Sequence, residues 1–256
     1  MNAAGRGMNQ PMFVPCERCP LRLKPLFRPF ADPELAFVAQ MKTDHIVVAP
    51  RSDIIQEDEV GGPIYTLFEG WAIRYHRLPK GSRQILDIVL PGDMIGLASA
   101  LLGTIRHSVQ AVTPATLCVL SGHELRELFD HHPGLALNIM QTRVEEEQRG
   151  DVRVSLLGRS NAEQRVAYLI LETFDRLRQR GMVNGGSTCP FPLQRRDIAD
   201  AVGLSRVHVA RTLDRLREAR LAEIQHGVLV LFDRARLAEL AGYVPLRVAG
   251  GRRAIL

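Results

Sequence analysis

The chain of 256 residues carries a formal charge of +5, from 33 Lys+Arg against 28 Asp+Glu, and is 46% hydrophobic. That balance excludes a disordered polypeptide and leaves room for two modest cores. No apolar run reaches the roughly 18 residues of a membrane-spanning helix, and the first dozen residues lack the apolar stretch of a secretory signal, so a cytoplasmic protein with no membrane partner is expected.

In chain order, residues 1–31 read as an arm. Pro15, Pro20, Pro25 and Pro29 break any long helix there, and Cys16 and Cys19 stand in C-x-x-C spacing. The four cysteines (Cys16, Cys19, Cys118, Cys189) of a reducing compartment point to free thiols, metal ligands or redox groups rather than a disulfide framework. Residues 32–133 form a first domain. It opens with a helix over Glu34–Met41, for which Asp32-Pro33 supplies a cap and first-turn proline. Short β-type runs follow at His45–Val48, Tyr65–Glu69, Trp71–Arg77, Arg83–Val89 and Thr116–Leu120, punctuated by Gly and Pro turns. This pattern predicts a sandwich or small barrel and excludes parallel α/β units, since no helix-length segments intervene. Trp71 and Tyr75, at alternate strand positions, read as core.

Helical texture then takes over at Gly122–His131, interrupted by Pro133, and along residues 134–158. Ile139, Met140, Val144, Val154 and Leu157 recur there at helical spacing, with Glu147, Gly150 and Asp151 interrupting the stripe. Such a helix either packs on its own domain or pairs with its twin. In the paired case Glu147 and Asp151 would repel across the axis, and a shift in the first domain could relieve that repulsion.

Residues 159–242 read as a second domain. Ser160-Asn161-Ala162-Glu163 starts a helix over Arg165–Arg180 with Val166, Leu169, Ile170, Phe174 and Leu177 on one face. Two shorter helices follow, Arg195–Val202 and Ser205–Ala219, and then a hairpin, Ala222–Gln225 and Val228–Phe232, turning at His226-Gly227. Three helices and a hairpin describe a winged helix. A basic tail closes the chain over residues 243–256.

The stretch from Gln194 to Leu213 has helix-turn-helix logic. Ala199 lets two helices cross closely and Gly203 suits the positive φ of the turn. Ile198, Val202, Val209 and Leu213 close a small core, and Ser205 caps the second helix. Arg206 and His208 are then candidate readers of base edges, Arg211 serves a base or a phosphate, and Gln194, Arg195 and the wing's His226 suit phosphates. Double-stranded DNA is the expected partner, and the pI near 9.3 agrees with a polyanion. A protein-interaction adaptor with a degenerate helix-turn-helix is the rival. An enzyme finds no support, for the chain has no G-x-S-x-G, P-loop, H-E-x-x-H or dinucleotide fingerprint.

Asn161-Ala-Glu-Gln-Arg-Val-Ala, the helix-turn-helix and Pro91-Gly-Asp-Met-Ile-Gly together resemble the Crp/Fnr superfamily of bacterial transcription regulators. The resemblance implies an α+β architecture: a double-stranded β-roll sensor of the cyclic-nucleotide-binding jelly-roll kind, a long dimerisation helix and a C-terminal winged helix. It also implies a homodimer on a palindromic promoter site, with RNA polymerase as a partner. Ile139, Met140, Val144, Glu147 and Val154 would then face the twin, and two recognition helices would enter major grooves about 34–36 Å apart. Crp and Fnr carry a glutamate at the position of Val207, which cannot accept a hydrogen bond from cytosine N4, so the half-site should differ from theirs.

Three effector classes follow from the resemblance. Members like Crp hold a cyclic nucleotide with Gly-Glu and Arg-Ser pairs, where this chain has Gly96-Leu97 and His107-Ser108, so that ligand is disfavoured. Fnr holds an iron-sulfur cluster with three N-terminal cysteines and one from the β-roll. Cys16, Cys19 and Cys118 resemble three of these, and Pro25 stands about where another would be. A fourth ligand from Asp32, a histidine or water would make an atypical cluster or a zinc site. A thiol switch without metal, and purely structural cysteines, stay open beside it. The third class is haem or a small organic effector, with His45, His76 and His107 as ligand candidates, although each is expected to be a surface histidine. Cys189 is expected to be a solvated loop thiol.

Overall fold

The computed structural model describes residues 13–246 with Arg253 and Ile255; the expectations for residues 1–12 and for most of the basic tail fall outside the described residues. From Phe13 onward the arm is packed. Prolines restrict it to short 3-10 turns at Cys16–Arg18 and Pro20–Leu23. These place Leu21, Leu26, Phe27 and Phe30 in a core with Phe37, Val38, Leu128 and Leu135. Helix α1 (Asp32–Met41) follows. Its N-cap is Ala31, whose N–H donates to Glu34 Oε2 at 3.0 Å, so Asp32 is the first helical residue and not the cap.

Two four-stranded antiparallel sheets make the first domain. One runs in the order β1 (Lys42–Val48), β8 (Ala115–Leu120), β3 (Ile64–Glu69), β6 (Met94–Ile95); the other runs β2 (Asp53–Ile55), β7 (Ser108–Ala111), β4 (Ala72–Arg77), β5 (Arg83–Val89). Alternation along each strand sends Leu67, Ala72, Val89, Val109, Ala111 and Leu117 into one cluster between the sheets. Helix α2 (Leu97–Leu102) inserts after β6. Gly96 opens it at φ +88, and a Cβ there would stand 2.7 Å from the Pro63 carbonyl oxygen, so only glycine fits.

Helix α3 (Leu125–His131) leads to α4 (Pro133–Arg159), which uses Pro133 as its first residue. It has two faces. Leu135 and Ile139 pack inward on the first domain. Leu137, Met140, Val144, Glu147, Asp151 and Val154 are exposed, at the alternating three- and four-residue spacing of a coiled-coil seam. Contrary to expectation Ile139 does not lie on the exposed stripe: it is 3% exposed, and Leu137 holds the outer position instead.

The second domain begins with α5 (Ala162–Gln179), capped by reciprocal 3.0 Å bonds between Asn161 and Gln164. Helices α6 (Arg195–Val202) and α7 (Arg206–Glu218) follow, and α8 (Arg234–Ala241) comes after the wing. The wing is three-stranded, because β9 (Thr188–Pro190) adds to the hairpin of β10 (Ala222–Gln225) and β11 (Val228–Leu231). His226 and Gly227, at φ +50 and +76, make the two-residue turn. Both domains share one apolar core, in which Trp71, just before β4, and Ile73, Ile85 and Ile88 of the β-sheet meet Phe174 and Phe191. No described helix is long and apolar enough to cross a membrane.

Candidate functional site

The helix-turn-helix is set by local chemistry. Ser205 Oγ accepts the His208 N–H at 3.2 Å, which fixes the start of α7. Gly203 takes φ +66 in the turn, and Ala199, Ile198, Val202 and Val209 are buried beneath it. Arg206, Val207, His208 and Arg211 are exposed along the outer side of α7, and Gln194 and Arg195 are exposed at the start of α6. Ion pairs occupy none of Arg206, His208 and Arg211 among the described contacts, which suits groups reserved for an external acceptor.

Sequence reasoning missed what holds α6. Asp197 accepts the Gln194 N–H at 2.9 Å as part of the cap. It is 0% exposed because Arg51, at 2.8 and 2.9 Å, and Arg83, at 2.7 Å, reach it from the β-roll. Arg83 also pairs with Asp200 at 2.7 Å, and Gln84 Nε2 donates to the Ala201 carbonyl at 3.2 Å. Burial alone would raise the Asp197 pKa, but the Arg51 hydrogen bonds, the Gln194 N–H and Arg83 outweigh it and hold the carboxyl below its usual range.

A second ionic cluster ties the Pro91-Gly92-Asp93 turn to α5. Asp93 accepts the Leu90 N–H at 2.8 Å, takes Arg176 at 2.7 Å and pairs with Arg180. Asp87 binds Arg176 at 3.0 Å and Arg153 at 2.9 Å, and Arg153 also holds Glu172 at 2.9 Å. Burial opposes ionisation of both aspartates, yet the surrounding guanidiniums prevail, so the Asp87 carboxyl lies well below its ordinary range and that of Asp93 also falls below it.

Gly96, Leu97 and His107 line a cavity beside α4. Its two arginines are already engaged by Glu146, Arg74 at 3.4 Å and Arg143 at 3.0 Å. Burial, aided by Arg74, His76 and Arg143, pushes the His107 pKa down to about 4. A neutral imidazole and two occupied guanidiniums make a poor phosphate site.

The cysteines fall into two settings. Cys16 and Cys19 of the arm and Cys118 of β8 line one pocket, together with Lys42. Burial pushes the Cys118 thiol up to about 12 and raises that of Cys16, with Lys42 opposing both shifts. His45 Nε2 lies 3.0 Å from Cys118 Sγ. Contrary to expectation His45 is buried, since Phe13 and Phe68 flank its ring. Cys189 is also buried rather than solvated: β9 pairs it with Leu229, and burial pushes its thiol up to about 12. Among the described residues no three His, Cys, Asp or Glu side chains are gathered closely enough to hold one metal ion. The soft donors suit iron-sulfur or zinc in kind, but this arrangement does not fit a preformed centre.

Comparison with known proteins decides the family. A cyclic nucleotide-binding domain model matches residues 45–132, and a Crp-like helix-turn-helix domain model matches residues 164–240. The transcriptional activatory protein AadR of Rhodopseudomonas palustris is 33% identical over 77% of this chain and 81% of its own length. The nitrogen fixation regulation protein FixK of Bradyrhizobium diazoefficiens is 31% identical over 73% of this chain and 78% of its own. The structure of FixK2 from Bradyrhizobium japonicum superposes with a TM-score of 0.70 at 26% identity, covering 78% of this chain and 98% of that one. The chain belongs to the Crp/Fnr superfamily. It is a DNA-binding transcription regulator and not an enzyme. Within that superfamily its first domain keeps the β-sandwich while its cavity carries Leu97 and His107 at the positions noted above.

Proposed function

We propose that this Crp/Fnr regulator acts in the cytoplasm as a homodimer on a palindromic promoter site, where it meets RNA polymerase, and that it answers a redox, oxygen or metal-linked signal at the thiol pocket. The convergence of Cys16, Cys19 and Cys118 on one pocket carries the choice of signal. Residues 134–158 serve as the dimerisation helix. The exposed stripe of Met140, Val144, Glu147 and Val154, with Leu137 in place of Ile139, supports pairing, because its four apolar members recur at the spacing of a coiled-coil seam and gain by being covered, against the repulsion of Glu147 and Asp151. In the winged helix of residues 159–242, Ser205 sets the angle of α7, Arg206 and His208 read bases, Arg211 serves a base or phosphate, and Gln194 and Arg195 hold phosphates.

Arg206→Ala is expected to cost about 1–3 kcal/mol on the cognate palindrome and to relax discrimination at one base step. Fluorescence anisotropy on cognate and random duplexes across a salt series reads this; an equal loss on both would reassign Arg206 to the backbone. For the signal, anaerobic purification with iron, sulfide and zinc assays on wild type and Cys118→Ser is the test. Metal that disappears in the variant supports a metal-linked signal. If instead the protein is metal-free and its DNA affinity is unchanged by peroxide, the thiol reading fails.

A further inference from the structure

The C-terminal end of the chain follows the second domain, yet its described residues lie on the first. Arg253 N–H donates to the Leu26 carbonyl at 2.9 Å, and the Arg253 carbonyl accepts from Arg28 N–H at 2.6 Å, a parallel bridge around Phe27. The Arg253 guanidinium pairs with Glu145 of α4, and these two charged residues are only 9% and 8% exposed. Two positions further on, Ile255 is 6% exposed among Leu21, Leu26, Phe30 and Val38. It lines the same pocket as Cys16, Cys19 and Cys118. A backbone bridge and a buried ion pair thus hold Arg253, and an apolar cluster holds Ile255.

We propose that Ile255 is a plug that closes the thiol pocket, and that Arg253 reports the closure to α4 through Glu145. Any thiol-directed group that reaches Cys118, whether an electrophile or a soft metal ion, has to displace Ile255 first. Displacement draws Arg253 away from Glu145 and leaves a buried carboxylate without this cation, next to Val144 of the exposed stripe. The α4 helix then gains a reason to rotate or repack, because an unpaired buried charge is strongly unfavourable. Closure does not depend on which signal the thiols receive; only its consequence for α4 rests on the reading proposed above.

Labelling of the folded 256-residue chain with N-ethylmaleimide, quantified for each cysteine by mass spectrometry, tests the plug without DNA or effector. Ile255→Asp and Arg253→Ala are each expected to speed labelling of Cys118 about tenfold, since modification tracks the population of the opened state. Cys189, buried in the other domain, is the internal control and keeps its wild-type rate. Glu145→Arg and Arg253→Glu should each open the pocket, and the double charge reversal should close it again. Unchanged Cys118 labelling in Ile255→Asp would overturn the plug. An equal rise at Cys189 would also overturn it, because it would mean general loosening, and so would a charge-reversed double variant no better protected than the singles.

Discussion

Arg176→Met is expected to lower stability by about 3–5 kcal/mol, the cost of breaking a buried pair by removing one partner. Arg176 is the cation shared by Asp87 and Asp93, at 3.0 and 2.7 Å, so its loss leaves two buried carboxylates short of charge at the junction of β-roll and α5. Urea denaturation at neutral pH measures this. Both aspartates have folded pKa values below the ordinary 3.8. Their contribution is therefore fully present above 3.8 and is lost as pH falls through the lower folded values. Wild type should lose stability below pH about 4, and the variant, already short of that contribution, should show a shallower acid limb. A loss under about 1 kcal/mol, the range of exposed pairs, would mean that Arg153 and Arg180 suffice.

Phe191→Ala is expected to cost about 3–5 kcal/mol through the cavity it leaves. Phe191 is 1% exposed and meets Trp71 in a T-shaped contact with ring centroids 6.1 Å apart. It enters the winged helix just after β9, whereas Trp71 introduces β4, so this contact joins the two domains through the shared core. Differential scanning calorimetry should show a lower midpoint and a transition that splits as the domains uncouple. A single transition shifted by less than a degree or two would place the coupling elsewhere, in the ionic clusters.

The helix-turn-helix was legible because its determinants are local. Ser205, Gly203 and the apolar positions of α6 and α7 act within a few residues of themselves, and the structure puts each where its chemistry requires. The longer strands were legible for the same reason. Strands β2 and β6, of three and two residues, are too short to carry a period, and the helix between β6 and β7 opens on a left-handed glycine that the β texture hides. Long-range placement was where the sequence misled. Cys189 is buried by a strand pairing with Leu229, and His45 by rings from Phe13 and Phe68, neither of which leaves a mark nearby. Helix α4 carries apolar residues on two sides, so periodicity alone could not say that Ile139 turns inward and Leu137 outward. The clamp of Arg51 and Arg83 on Asp197 was invisible for a related reason: guanidinium pairs more than a hundred residues apart have no spacing rule.

That clamp bears on how such proteins can be recombined. Asp197 and Asp200 travel with the winged helix, while Arg51, Arg83 and Gln84 travel with the β-roll. A chimera that joins this reading head to another sensor at the end of α4 would keep the recognition surface intact but leave the first helix of the motif without its docking cations. Transplanted specificity would then come with a loosened reading head, unless the recipient sensor supplies two arginines at equivalent strand positions. In this chain the placement of the first helix of the motif is in this sense a property of paired surfaces and not of one domain.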